Sequence, residues 1–206
     1  MEYYIHNIPL FVIDKLSPEI DLPSFCKEVE EIIPRGLLSP LDVVYVGKFR
    51  ELGGRNATYM DGAVYITSDE PTNYDMLEDF IHEVAHGLDK IYGMQIYTGD
   101  LIQEFKGKRK RLYHILKAEG YDVSTLLFDF TEYNKKFDKF LADDVGYASL
   151  VPLTMGLFVS PYGATSIQEY FANGFEKYFL DNPRTVRMIS PILYRKIEEI
   201  INDVKA

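Results

Sequence analysis

The chain has 206 residues, 47% of them apolar and 26% charged, enough for one domain with a full core and tight for two. Its formal net charge of −10 repels phosphate backbones, which argues against nucleic-acid binding. No run reaches the roughly 18 apolar residues of a membrane span, and the single cysteine, Cys26, excludes an intrachain disulfide.

In chain order, Tyr3 to Ile13 is rich in Tyr, Ile, Phe and Val and reads as a strand broken near Pro9. Pro23 to Ile33 reads as a short helix, opened by Pro23 and stopped by Pro34. It carries Cys26 between Phe25 and Val29, a core position that suits a reducing compartment. Leu41 to Val46 is strand-like. Thr58 to Ile66 places Asp61-Gly62 between two β-prone arms, a hairpin signal. From Tyr74 the spacing turns helical: Leu77, Ile81, Val84, Leu88 and Ile91 form one stripe, with Gly93 as the expected stop. Further helices are predicted over Leu101 to Ala118, Thr131 to Leu141, Ser166 to Leu180 and Arg184 to Val204, the last bending at Pro191. Lys and Arg at 106, 108, 109, 110 and 111 read as a solvated helix face, with a local anchor for an acidic partner as the alternative. Strands first and helices afterwards make an α+β domain. One domain over residues 1–206 is expected, with an α/β part to about 95 and a helical part from about 96.

The chemistry concentrates in His82-Glu83-Val84-Ala85-His86. Histidines four apart on a helix stand one turn above each other, where two imidazole nitrogens reach one zinc ion at about 2.0–2.1 Å each. Glu83 is rotated about 100° from His82, beside the metal and not on it, where a carboxylate can take a proton from water. The apolar stripe falls on the opposite side of the helix. An amphipathic helix with a solvated polar face explains the same pattern without chemistry. A catalytic zinc needs a third ligand and an open position. Asp89 is too close along the same helix and fits better as a hydrogen-bond acceptor for a ligand imidazole. In Ser166 to Ala172, Glu169 looks away from the apolar side formed by Phe171, Phe175 and Tyr178. Glu169 reads equally as the third ligand or as the closing residue of a Ser166-x-x-Glu169 capping box, and Glu176 is the reserve.

His82-Glu83-Val84-Ala85-His86-Gly87-Leu88-Asp89 followed by Gln168-Glu169-Tyr170-Phe171-Ala172-Asn173-Gly174-Phe175 resembles the catalytic domain of anthrax lethal factor and the clostridial Pro-Pro endopeptidases. The resemblance spans roughly Asp42 to Leu180 and is specific at the two motifs. It implies a zincin-like metallopeptidase domain, with a small mixed sheet, an edge strand beside the active-site helix and a mostly helical C-terminal half. It implies one Zn2+ per chain on His82, His86 and Glu169, with Glu83 as general base. The family's catalytic tyrosine stands seven residues before the glutamate, which is Tyr162 here. The aromatic hairpin Asn56 to Thr67 would be the edge along the cleft, its Ala63 to Thr67 strand open to an extended peptide. Asn173-Gly174 departs from the family's small acidic pair and leaves substrate preference open.

The expected function is therefore a zinc metalloendopeptidase acting on a peptide or protein substrate, with no nucleic-acid or membrane partner. The acidic balance favours basic or neutral substrates. The rivals are an intracellular regulatory metallopeptidase with a single protein target, and a catalytically silent zinc-binding interaction module. The amino terminus has no basic region followed by an apolar stretch. A cytoplasmic location is therefore expected, with export only by a route needing no signal peptide in this chain.

Overall fold

The computed structural model describes residues 3–205. They fall into two compact units, the described residues of Met1–Tyr92 with Ile200–Ala206, and Gly93–Glu199. The α+β class expected from the order of patterns is observed, with a mixed five-stranded sheet.

In the first unit β1 (Tyr3–Ile5) and β2 (Ile8–Val12) form an antiparallel hairpin, turned at His6 with φ 53°. Pro9 does not break the strand; it sits inside β2 opposite Tyr4. β3 (Val43–Gly47) runs parallel to β2 and to β5 (Ala63–Thr67), and β4 (Ala57–Met60) closes the sheet antiparallel to β5. The order is β1-β2-β3-β5-β4. The edge expectation is corrected here: Ala63–Thr67 is an inner strand, paired on both sides, and β4 is the edge. Leu10, Val44, Val46, Val64 and Ile66 are buried. Phe11, Tyr45 and Tyr65, in the alternate phase, stack across three strands with centroids 5.8 and 5.3 Å apart. The expected Asp61-Gly62 turn joins β4 to β5 with both residues at positive φ, 46° and 89°.

Helix α1 (Leu22–Ile32) begins at Asp21, whose side chain accepts from Ser24 N–H, and buries Leu22, Phe25, Cys26 and Val29. Phe25 meets Phe80 of α2 (Asn73–Ile96) edge-on at 5.7 Å. Thr72 opens α2: its hydroxyl accepts from Asp75 N–H at 3.1 Å and donates to the Asp75 carboxylate at 2.6 Å. The helix does not stop at Gly93 but continues to Ile96, and Ile91, assigned to the core stripe, is exposed. A glycine in a helix costs only about 1 kcal/mol relative to alanine, which neighbouring turns offset.

Between β5 and α2, Glu70 is 1% exposed. Burial, then the nearby Asp79 and Asp75 carboxylates, push its carboxyl up from the ordinary 4.5 to about 8. The folded protein thus holds this proton more tightly than the unfolded chain. The associated stability is complete below 4.5 and is lost as pH rises through about 8. Glu70→Gln is expected to match wild type near pH 4 and to exceed it by more than about 1 kcal/mol at pH 9, since one pKa unit is about 1.4 kcal/mol. Urea midpoints at pH 4, 6 and 9 measure this; parallel curves would reject it.

The second unit is helical: α3 (Gly99–Ala118), α4 (Leu126–Asp129), α5 (Lys135–Lys139), α6 (Tyr147–Thr154), α7 (Ile167–Leu180), α8 (Pro183–Ile189) and the start of α9 (Pro191–Asp203). The helix expected over Thr131 to Leu141 starts only at Lys135, where the Asn134 side chain accepts from Lys136 and Phe137 N–H. It then passes into a π-helical turn, Phe140–Val145. Pro191 does not bend a long helix; it opens a separate one. The exposed N–H groups of that helix start are met by Glu104 of α3, which accepts from Ile192 N at 2.9 Å and Leu193 N at 3.1 Å.

The basic run is not one solvated face. Lys108 and Arg109 point inward. Lys108 Nζ donates to the carbonyls of Leu157 and Ile189, both at 2.6 Å, and burial lowers its pKa to about 8. Arg109, fully buried, donates to the carbonyls of Ala164 and Thr165 at 3.2 Å each and to that of Leu127. Its guanidinium lies 3.9 Å from the Phe137 ring centroid. Lys106, Lys110 and Arg111 remain exposed.

Candidate functional site

On α2 the residues around the histidines are buried almost all round: Ile81, Val84, Ala85 and Leu88 are inaccessible and Glu83 is 8% exposed. His82 and His86 are half-buried. Their Nε2 atoms lie 3.2 Å apart, with ring centroids at 5.0 Å and planes at 70°. The one-turn stacking expected from the sequence is therefore present, with the two Nε2 atoms brought close together. Two nitrogens each about 2.0–2.1 Å from one tetrahedral ion would stand about 3.3 Å apart, so the pair fits zinc.

Glu83 is not solvated beside them. Its Oε2 accepts from the main-chain N–H of Tyr59 at 2.6 Å, which joins the helix to strand β4. The Tyr59 ring lies over Gly87, where an added Cβ would come within 3.1 Å of the ring and of Pro40. Glycine next to the second histidine is what lets strand and helix approach. Asp89 is half-buried on the following turn.

In the second unit the 3-10 turn Pro161–Ala164 carries Tyr162, and α7 carries Glu169. Ser166 Oγ accepts from Glu169 N–H at 3.1 Å, so the serine half of the capping box is made. Asn173 is buried and links turn to helix: its Nδ2 donates to the Glu169 carbonyl at 2.8 Å, and its Oδ1 accepts from Ser160 Oγ at 2.5 Å. Ser160 Oγ also accepts from Tyr162 N at 3.2 Å. Gly174 leaves room for Leu193, which a Cβ would meet at 2.3 Å. Asn173-Gly174 thus serves packing and hydrogen bonding within this unit. Tyr170 is buried alongside Phe171 and Phe175, so α7 is enclosed on more than one face. Glu176, the reserve ligand, is half-buried two turns further on.

Burial, and next the charge of Glu169, hold the Tyr162 phenol well above the ordinary tyrosine range, so its hydroxyl keeps its proton at any working pH. The ring of Tyr147 lies 6.4 Å from that of Tyr162. Tyr147 is aimed by Gly146, φ 80°, at the end of the π-helical turn. Burial and then Asp138 and Glu169 raise its pKa to about 12.

The expected site residues therefore form two groups, His82, Glu83 and His86 on one turn of α2, and Tyr162 with Glu169 in one network of the second unit. No family model matches this chain, and no curated protein or solved structure matches it. Sequence reasoning missed Tyr59, Arg109, Asn173 and Tyr147. Only the last had a local cue, the glycine before it. Among the described residues no helix is long and apolar enough to cross a membrane.

Proposed function

We propose that the protein is a zinc metalloendopeptidase of zincin-like build, with His82, His86 and Glu169 as the metal ligands. The observation that carries this reading is the 3.2 Å approach of the two imidazole nitrogens beside a buried glutamate on the same turn. In this reading the Glu169 carboxylate completes the ligand set begun by the two imidazoles. Two imidazoles and one carboxylate are a donor set of zinc sites that keep a position open. When bound, zinc supplies Lewis acidity toward water and toward a peptide carbonyl oxygen. Glu83 is the base that takes a proton from the attacking water and passes it to the leaving amine. The Tyr162 hydroxyl, kept protonated by its surroundings, donates to the carbonyl oxygen as that atom gains negative charge.

The test is zinc per chain after dialysis against a weak chelator, for wild type and Glu169→Ala. One zinc in wild type and a drop of about tenfold or more in occupancy-based affinity for the variant is expected from losing one of three ligands. Wild type without zinc would leave two imidazoles that merely hydrogen-bond to each other, and the reading would fall. An unchanged variant would remove Glu169 from the ligand set.

A further inference from the structure

The main-chain N–H of Tyr59 reaches Glu83 because of where β4 lies. In the β4–β5 hairpin Met60 pairs with Ala63, and Thr67 N donates to Asn56 O at 2.7 Å. Residues 56, 58 and 60 therefore turn their polar groups toward β5, while 57 and 59 turn theirs outward from the edge. An outward N–H on an edge strand ordinarily bonds to water or to an added strand. Here it ends on a carboxylate oxygen at 2.6 Å, a short N–H···O bond.

Tyr59 is itself fixed at several points. Its hydroxyl donates to Pro40 O at 3.3 Å and accepts from Gly62 N at 3.2 Å. Its ring rests on Gly87 and has Lys90 Nζ 5.2 Å from its centroid. Lys90 in turn reaches Asp61 of the hairpin turn at 2.7 Å. A donor so constrained cannot follow a moving carboxylate; it sets where the carboxylate stays.

We infer that Tyr59 is a positioning residue, whose backbone N–H tethers Glu83 through Oε2 and leaves Oε1 as the oxygen that accepts the proton. This rests on the peptidase reading above and adds a geometric condition to it. It also implies that an extended substrate cannot pair with β4 through the Tyr59 N–H, because Glu83 already occupies it.

Proline at 59 removes the donor, and an outward-facing edge position tolerates it. Comparison with Tyr59→Ala, which keeps the N–H but also lacks the ring and hydroxyl, isolates the tether. With zinc-loaded protein and a randomised internally quenched peptide library, kcat of Tyr59→Pro is expected to fall at least tenfold below that of Tyr59→Ala. KM and zinc content should stay equal between the two. Amide hydrogen exchange supplies a readout that needs neither metal nor substrate: the Tyr59 amide should exchange at least tenfold faster in Glu83→Ala than in wild type, with the Thr58 and Met60 amides unchanged. Equal kcat for the proline and alanine variants, or equal exchange with and without Glu83, overturns the tether while leaving the peptidase reading in place. A library left uncut by zinc-loaded wild type overturns the peptidase reading and the catalytic role of the tether together. The exchange result then still reports whether the bond exists.

Discussion

Glu83→Ala is expected to lower peptide turnover by about a hundred- to ten-thousand-fold, the range in which a positioned general base contributes, with zinc per chain unchanged. The separation of the two readouts follows from position. His82 and His86 occupy one face of α2 at 3.2 Å and do not depend on the intervening carboxylate for their stacking. Glu83 is held from the other side, by the edge strand. On the proposed mechanism, removing it takes away the proton acceptor while the imidazole stacking on α2 is kept. Tyr162→Phe, also expected to retain zinc, should lower turnover less, by about 10²-fold, as the loss of one oxyanion donor does in other hydrolases. Library cleavage and elemental zinc on the same preparations measure both. A Glu83→Ala protein that cleaves at the wild-type rate would end the mechanism.

Arg109→Met is expected to cost about 3 kcal/mol or more in urea denaturation, because each buried acceptor left without a donor costs about 1–3 kcal/mol. Three carbonyls depend on this one guanidinium, those of Leu127, Ala164 and Thr165. Replacing a whole buried ion pair by apolar groups is often neutral. Here the acceptors are main-chain atoms and stay behind when the donor is removed. Arg109→Lys should recover little, since one ammonium cannot reproduce a planar fork spanning two turns of chain. Because Ala164 and Thr165 lie two and three residues after Tyr162 and lead into α7, the loss should loosen the segment bearing Tyr162 and Glu169 first. Wild-type stability in Arg109→Met would show that water or a shifted chain replaces the donor.

The features read directly from sequence are those with local causes. The Asp61-Gly62 hairpin rests on two residues that accept positive φ, and the histidine stacking rests only on helical period. What escaped notice depends on partners far along the chain. β3 and β5 pair in parallel with β4 displaced to the rim, and nothing inside Ala63–Thr67 tells an inner strand from an edge. Lys108 and Arg109 look like their neighbours in a charged run; only carbonyls some 50 positions away turn them inward. Gly93 and Pro191 look like local punctuation in the sequence. The first is overridden by the turns around it; the second opens a helix whose first free N–H, that of Ile192, is met by Glu104, 88 residues earlier. The His82–His86 spacing was visible, but the tether on Glu83 was not, because its donor is a backbone group and carries no side-chain signature.

Cys26 gives the molecule a chemical clock. It is the only sulfhydryl in 206 residues. It sits on the buried face of α1, and burial followed by the nearby Glu30 raises its pKa to about 11. In the closed state reagents meet neither an accessible sulfur nor a reactive thiolate. Alkylation therefore waits for α1 to lift from the body of the first unit. Its rate, followed by mass without any substrate or metal, times the lifting of α1 from the first unit, the unit whose α2 carries the two histidines.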